Sequence, residues 1–165
     1  GEARQTIVLS GRAVGLAVAG DGSYAFAIVR STDRKGSLRS VDLARVDLKT
    51  ARASSSTPLP VTARGLAFGS GASNLLVACK DEIRTFQLPQ LTSGPLYRVP
   101  GDNVGVASIP NSSRVLVAQP ARLVLADLAE TQGRDGLTLS HETAVTAKLR
   151  SMMASVGDPG PIALS

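Results

Sequence analysis

Tryptophan is absent from this chain of 165 residues, and histidine and cysteine occur once each, as His141 and Cys79. Five residues carry all the aromatic surface: Tyr24, Phe26, Phe68, Phe86 and Tyr97. Each shortage excludes something. A single cysteine rules out an internal disulfide framework and any cysteine-cluster zinc site. A single histidine rules out a metal centre built on several imidazoles, and His141 stands beside no G-x-S-x-G nucleophile elbow. Calcium loops of the D-x-D-x-D-G type are missing too. No apolar run approaches the roughly 18 residues of a membrane span, and the opening GEARQTIVLS lacks the apolar stretch of a signal peptide. The expectation is a soluble chain with no metal, no cofactor and no membrane span. Its composition assigns no compartment.

What is present is globular. Hydrophobic residues make up 43% and charged residues 19%, too apolar for a disordered chain. The length suits one domain. A net charge of +5 and a pI near 10.0 invite a nucleic-acid reading, which needs a basic stripe and aromatic faces for stacking. The basic residues are instead scattered, mostly as single arginines between apolar segments, and four of the five aromatics lie in strand-like runs. Nucleic acid is therefore not an expected partner.

The chain repeats itself. VGLAVAGDGSYAFAIV (14–29), RGLAFGSGASNLLVAC (64–79) and VGVASIPNSSRVLVAQ (104–119) align without gaps, with Gly15, Gly65 and Gly105 in one column. Ala17, Ala67 and Ala107 share a second column, and Phe26, Leu76 and Leu116 a third. Gly65 and Gly105 are 40 residues apart, and a period of roughly 40 to 45 residues built of short strands is what four-stranded propeller blades produce. Within this frame AGDGS (19–23) aligns with GSGAS (69–73) and IPNSS (109–113). A phosphate loop would need a helix after its glycines. Here an apolar strand follows each time, so all three are hairpin turns.

Third strands follow at LARVDLKT (43–50), IRTFQLPQ (83–90) and LVLADLAE (123–130), which align Asp47, Gln87 and Asp127 as turn formers. Outer strands are expected at TPLPVT (57–62) and PLYRVP (95–100), where prolines suit a sheet edge. Gly15 to Gly65 spans 50 residues, not 40, and the extra ones fall between second and third strands in RSTDRKGSLRSVDLAR (30–45). Insertions in repeat folds map to exposed loops, where function concentrates. Arg30, Arg34, Lys35, Arg39 and Arg45 make this segment basic and are the expected partner-binding residues.

On these columns the chain resembles a β-propeller of the broad WD-repeat and YVTN type, although it carries no GH…WD signature. The expected fold is all-β: three full four-stranded antiparallel units at about 12–62, 63–101 and 102–140, with half-units at both ends. TIVLS (6–10) would be an outer strand of one half-unit, and 158–165, containing PIALS, the start of another. In HETAVTAKLRSMMASVG (141–157), apolar residues at helical spacing behind the cap Ser140 predict one short helix near 142–156.

The resemblance implies a non-catalytic protein-interaction scaffold, a propeller subunit of a larger assembly. The implied partners are other protein subunits or the remainder of the propeller. An open stack of blades would leave apolar faces bare, so the isolated chain is not expected to be a self-sufficient monomer. The alternative is a propeller enzyme or small-ligand binder, such as a lactonase-like hydrolase. Its site would lie on the propeller axis, with Arg12, Arg64 and Asp102-Asn103 lining it.

Overall fold

Three apolar runs, AFAIV (25–29), LLVAC (75–79) and VLVAQ (115–119), each become the second strand of an antiparallel sheet. The computed structural model describes residues 6–129. The first sheet contains β1 (Arg12–Val18), β2 (Tyr24–Thr32), β3 (Leu38–Asp47) and β4 (Arg52–Pro58), in that order. The second contains β5 (Gly65–Phe68), β6 (Asn74–Cys79), β7 (Glu82–Gln87) and β8 (Thr92–Arg98), also in chain order. Within the described residues the third sheet has β9 (Gly105–Ser108), β10 (Arg114–Gln119) and β11 (Arg122–Asp127), with β10 in the middle. The expected helix at 142–156 and the strand at 158–165 lie outside the described residues.

The repeat columns are the register of the sheets. Ala17 pairs with Phe26, Ala67 with Leu76 and Ala107 with Leu116. Tyr24, Asn74 and Arg114 likewise pair with Asp47, Gln87 and Asp127. Because strand side chains alternate between faces, the same columns fix which residues meet the next sheet. Phe26, Ile28, Val41 and Leu43 of the first sheet pack against Leu66, Leu75, Val77 and Cys79 of the second. The opposite face of the second sheet, with Leu76, Ala78, Ile83 and Tyr97, packs against Val115, Val117, Val124 and Ala126 of the third. The middle sheet is buried on both faces, which is why LLVAC is an uninterrupted apolar run.

The inner strands β1, β5 and β9 lie side by side, and here the glycine column acts. A Cβ at Gly65 would sit 2.5 Å from the Gly105 Cα, and one at Gly15 would sit 2.9 Å from the Arg64 carbonyl oxygen. Gly105 differs: its Cβ would meet only the Ala118 Cβ, at 3.4 Å.

AGDGS is a hairpin turn. Gly22 has φ +67°, its N–H donates to the Ala19 carbonyl, and the Asp21 carboxylate accepts from the Ser23 N–H and hydroxyl. The equivalent turns close through Gly69 N–H to Asn74 O and Ile109 N–H to Arg114 O. Asp47 and Asp127 are turn formers as well. Asp47 accepts from the N–H groups of Lys49 and Thr50, and Asp127 from the Ser113 hydroxyl and the Ala129 N–H.

Two strand expectations need correction. The outer strands run over Arg52–Pro58 and Thr92–Arg98, earlier than 57–62 and 95–100. An edge strand is held by backbone pairing, so RASSSTP needs no apolar alternation. The apolar Leu59 belongs to the linker and is buried between the first two sheets. Residues 6–10 form no strand; Leu9 packs on Ala27, Val29 and Ala44 instead.

Two predictions follow from the glycines and the turns. Gly65→Ala should cost about 1–3 kcal/mol by overpacking against backbone, whereas Gly105→Ala should cost less than about 1. Urea denaturation of both variants checks this, and equal losses would contradict the asymmetric approach.

The hydrogen bonds from Thr50 to Asp47, and from Ser113 and then Ala129 to Asp127, hold both carboxyls below their ordinary value of 3.8. Stability from a lowered carboxyl is complete above that ordinary value and disappears as pH falls through the lower folded-state value. The Asp47→Asn, Asp127→Asn double variant should therefore lose less stability between about pH 6 and pH 2 than the parent, read as urea midpoints.

Candidate functional site

All three inner strands begin at one end of the stack. Arg12 is the first residue of β1, Arg64 immediately precedes β5, and Val104 immediately precedes β9. The long β2–β3 hairpin rises beside them. Its ladder extends through Arg30–Val41, Ser31–Ser40 and Thr32–Leu38, and its tip is a turn around Asp33, whose carboxylate accepts from the N–H groups of Lys35 and Ser37. Between hairpin and strand starts lies a cleft of about 740 Å³. Arg12, Arg30 and Arg64 line it, and Val14, Leu38 and Val104 supply apolar wall. Thr32 and Gly36 complete the hairpin side.

The five basic residues of the insertion do not form one patch. Arg34 and Lys35 are exposed in the tip and Arg39 is exposed on β3. Arg30 turns inward instead. Its Nη2 donates to the carbonyls of Val61 and Ala63, at 2.9 and 3.3 Å, tying the hairpin to the linker between the first two sheets. Its Nε is buried without a hydrogen-bond partner. Arg45 lies 4.8 Å above the Tyr24 ring, at the edge of an aromatic group formed with Phe26 and Phe68.

The expected axis residues also divide. Arg12 and Arg64 line the cleft, and Arg64 Nη1 is 3.2 Å from Asp102 Oδ2 in an exposed ion pair. Asn103 is fully buried and belongs to the fold. Its Nδ2 donates to the carbonyls of Cys79 and Val99, and its Oδ1 accepts from Gln119 Nε2, which also donates to Pro100 O. Arg122 Nε in turn donates to Gln119 Oε1. This network clamps the crossing from the second sheet to the third. Cys79 is buried as well, and burial pushes its thiol up to about 11, with the Glu82 charge adding to the shift. It packs rather than reacts.

Of the five basic residues expected to bind a partner, only Arg30 lines the cleft, together with the axis arginines Arg12 and Arg64. Its apolar wall went unnoticed, since Val14, Leu38 and Val104 each look like ordinary strand residues. Among the described residues no three His, Cys, Asp or Glu side chains are grouped as metal ligands would be. No helix among them is long and apolar enough to cross a membrane.

Three sheets with adjacent inner strands, each sheet packed face to face on the next, are the arrangement of blades around an axis. The fold is a partial β-propeller, similar to that of WD40 domains. The β-propeller domain of Myceliophteria thermophila Cps50 (Swd1) superposes with a TM-score of 0.59 at 15% identity, over 78% of this chain and 39% of that one. The RRP9 WD40 repeats give 0.56 at 12% identity, over 72% and 34%. Kuenenia stuttgartiensis hydrazine synthase gives 0.57 at 18% identity, over 79% and 37%. The chain thus spans well under half the length of these structures. No family model and no curated protein matches the sequence.

Replacing Asn103 with Ala would leave the buried Cys79 and Val99 carbonyls without that donor, and should cost about 2–3 kcal/mol. Asp102→Ala, next to it but in an exposed pair, should cost about 0–1 kcal/mol. Thermal melts of the two variants separate the buried clamp from the exposed ion pair.

Proposed function

We propose that this chain is a non-catalytic protein-interaction module, a propeller subunit of a larger assembly, which engages its partner at the end of the axis where the β2–β3 hairpin stands. The cleft carries this reading. Its lining combines three arginines with three aliphatic side chains, and includes no carboxylate, imidazole or thiol among the described residues. Such a lining can attract and hold a chain segment, and its one hydroxyl, on Thr32, has no carboxylate or imidazole in that lining to activate it. The hairpin tip, with Arg34, Lys35 and Arg39 exposed, extends the positive surface away from the cleft and would steer an acidic partner toward it.

A place in a larger assembly is supported by two exposed apolar positions on the inner strand of the first sheet. Leu16 and Val18 project from β1 on the face turned away from the second sheet, and they are 65% and 51% exposed. These are the positions that an adjoining sheet covers elsewhere in the stack.

Changing Arg34, Lys35 and Arg39 together to Ser should leave the melting behaviour nearly unchanged, within about 0.5 kcal/mol, because all three are exposed. Affinity for a partner isolated with the full chain should fall, and its salt dependence should flatten. A partner bound with unchanged affinity and salt dependence would show that the hairpin tip is only a solvated turn.

A further inference from the structure

Resting on the reading just given, we infer that the axis-end cleft recognises a linear acidic segment of a partner protein, in which two carboxylates flank an aliphatic residue. The charge balance points there. Arg12, Arg30 and Arg64 line the cleft, and among the described residues Asp102, paired with Arg64, is the one carboxylate held against any of them. Arg12 and Arg30 are also direct cross-strand partners, so their like charges repel until an anion enters. Arg30 is committed to the Val61 and Ala63 carbonyls and sets the field. Arg12 and Arg64 are exposed and can receive carboxylates, Arg64 by exchanging or sharing Asp102.

The apolar wall decides what lies beside the carboxylates. Val14, Leu38 and Val104 remain between 36% and 43% exposed. An inorganic anion would leave them wet, whereas an aliphatic side chain between two acidic ones would cover them. The volume lies within the range of clefts that enclose ligands of several residues or fewer. A nucleic acid would present phosphates of the right sign, but single strands are held largely by stacking on aromatic side chains. None of the residues lining the cleft is aromatic. Phe26, Phe86 and Tyr97 are buried, and Tyr24 and Phe68 pack on the core.

The test is a phage-displayed library of random linear peptides selected on the full chain, followed by fluorescence anisotropy with the enriched peptides. The expected peptides carry paired Asp or Glu around Leu, Ile or Val. They should bind the Arg12→Ala, Arg64→Ala double variant at least about tenfold more weakly, since each loss removes a charge-assisted contact. Leu38→Ser should weaken them by severalfold. Asp102→Asn should strengthen them, an outcome that general damage to the fold would not produce. Circular dichroism melts establish that each variant is folded, and Arg12→Lys with Arg64→Lys serves if the alanine pair is not.

Peptides without acidic enrichment, or peptides that bind the double variant as tightly as the parent, overturn the inference. Because they still bind, they leave the interaction-module reading standing. Failure to enrich any peptide counts against both. Labelled oligo-dT and oligo-U of about 20 nucleotides are measured alongside. Binding of either that exceeds the peptides and is lost in the double variant would assign the cleft to nucleic acid and overturn the proposal.

Discussion

The architecture depends on how closely the inner strands approach one another. Sheets can be stacked around an axis only if their innermost strands nearly touch, and side chains of ordinary size would hold them apart. At Gly65 the distance left for a Cβ is 2.5 Å from the neighbouring strand's backbone, which no other residue satisfies without displacement. Beside the glycines stand the small Ala17 and Ala67, while Phe26, Leu75 and Ile83 on the second and third strands fill the space between the sheets.

The second consequence concerns the linkers. Every passage from an outer strand to the next inner strand must cross the end of the stack, carrying backbone groups that pair in no sheet. Between the second and third sheets Asn103 and Gln119 satisfy these groups from the side, with Asp81 accepting from the Gly101 N–H. Between the first and second sheets Arg30 does comparable work by reaching the Val61 and Ala63 carbonyls. Two different solutions to one problem explain why this part of the repeat shows no shared column. They also explain why an arginine that looks like surface charge is half-buried.

Legibility in the sequence followed the same division. The glycine column, the apolar columns and the turn formers Asp47 and Asp127 could be read because all three sheets impose the same requirement at the same offset. The outer strand Arg52–Pro58 could not, since an edge strand needs only backbone pairing and RASSSTP advertises no face. Asn103 read as an axis residue and Gln119 as the polar end of an apolar run, and their burial arises only when two sheets meet. The cleft was legible in pieces. Its arginines could be named, but its unity comes from positions 12, 30–38, 64 and 104, which only the stacking brings together.

Placing a cationic cleft at this end of the axis is physically economical for the fold. At Gly15 and Gly65 the inner strands leave no room for a side chain, whereas long residues fit at the start of these strands, where they enter from solvent. Arg12 and Arg64 stand there, half in water, so they keep their hydration and strain no packing. The hairpin insertion is compatible with the stack for a related reason, since it lengthens β2 and β3 beyond the region where sheets face each other. Apart from Arg30, which holds the first linker, charge, reach and an apolar lip can therefore vary at this end without altering the contacts that hold the sheets together. Exposed side chains at this end can change with little effect on the core, and a repeat of small residues and plain hydrophobic strands keeps its packing whatever surface it displays there.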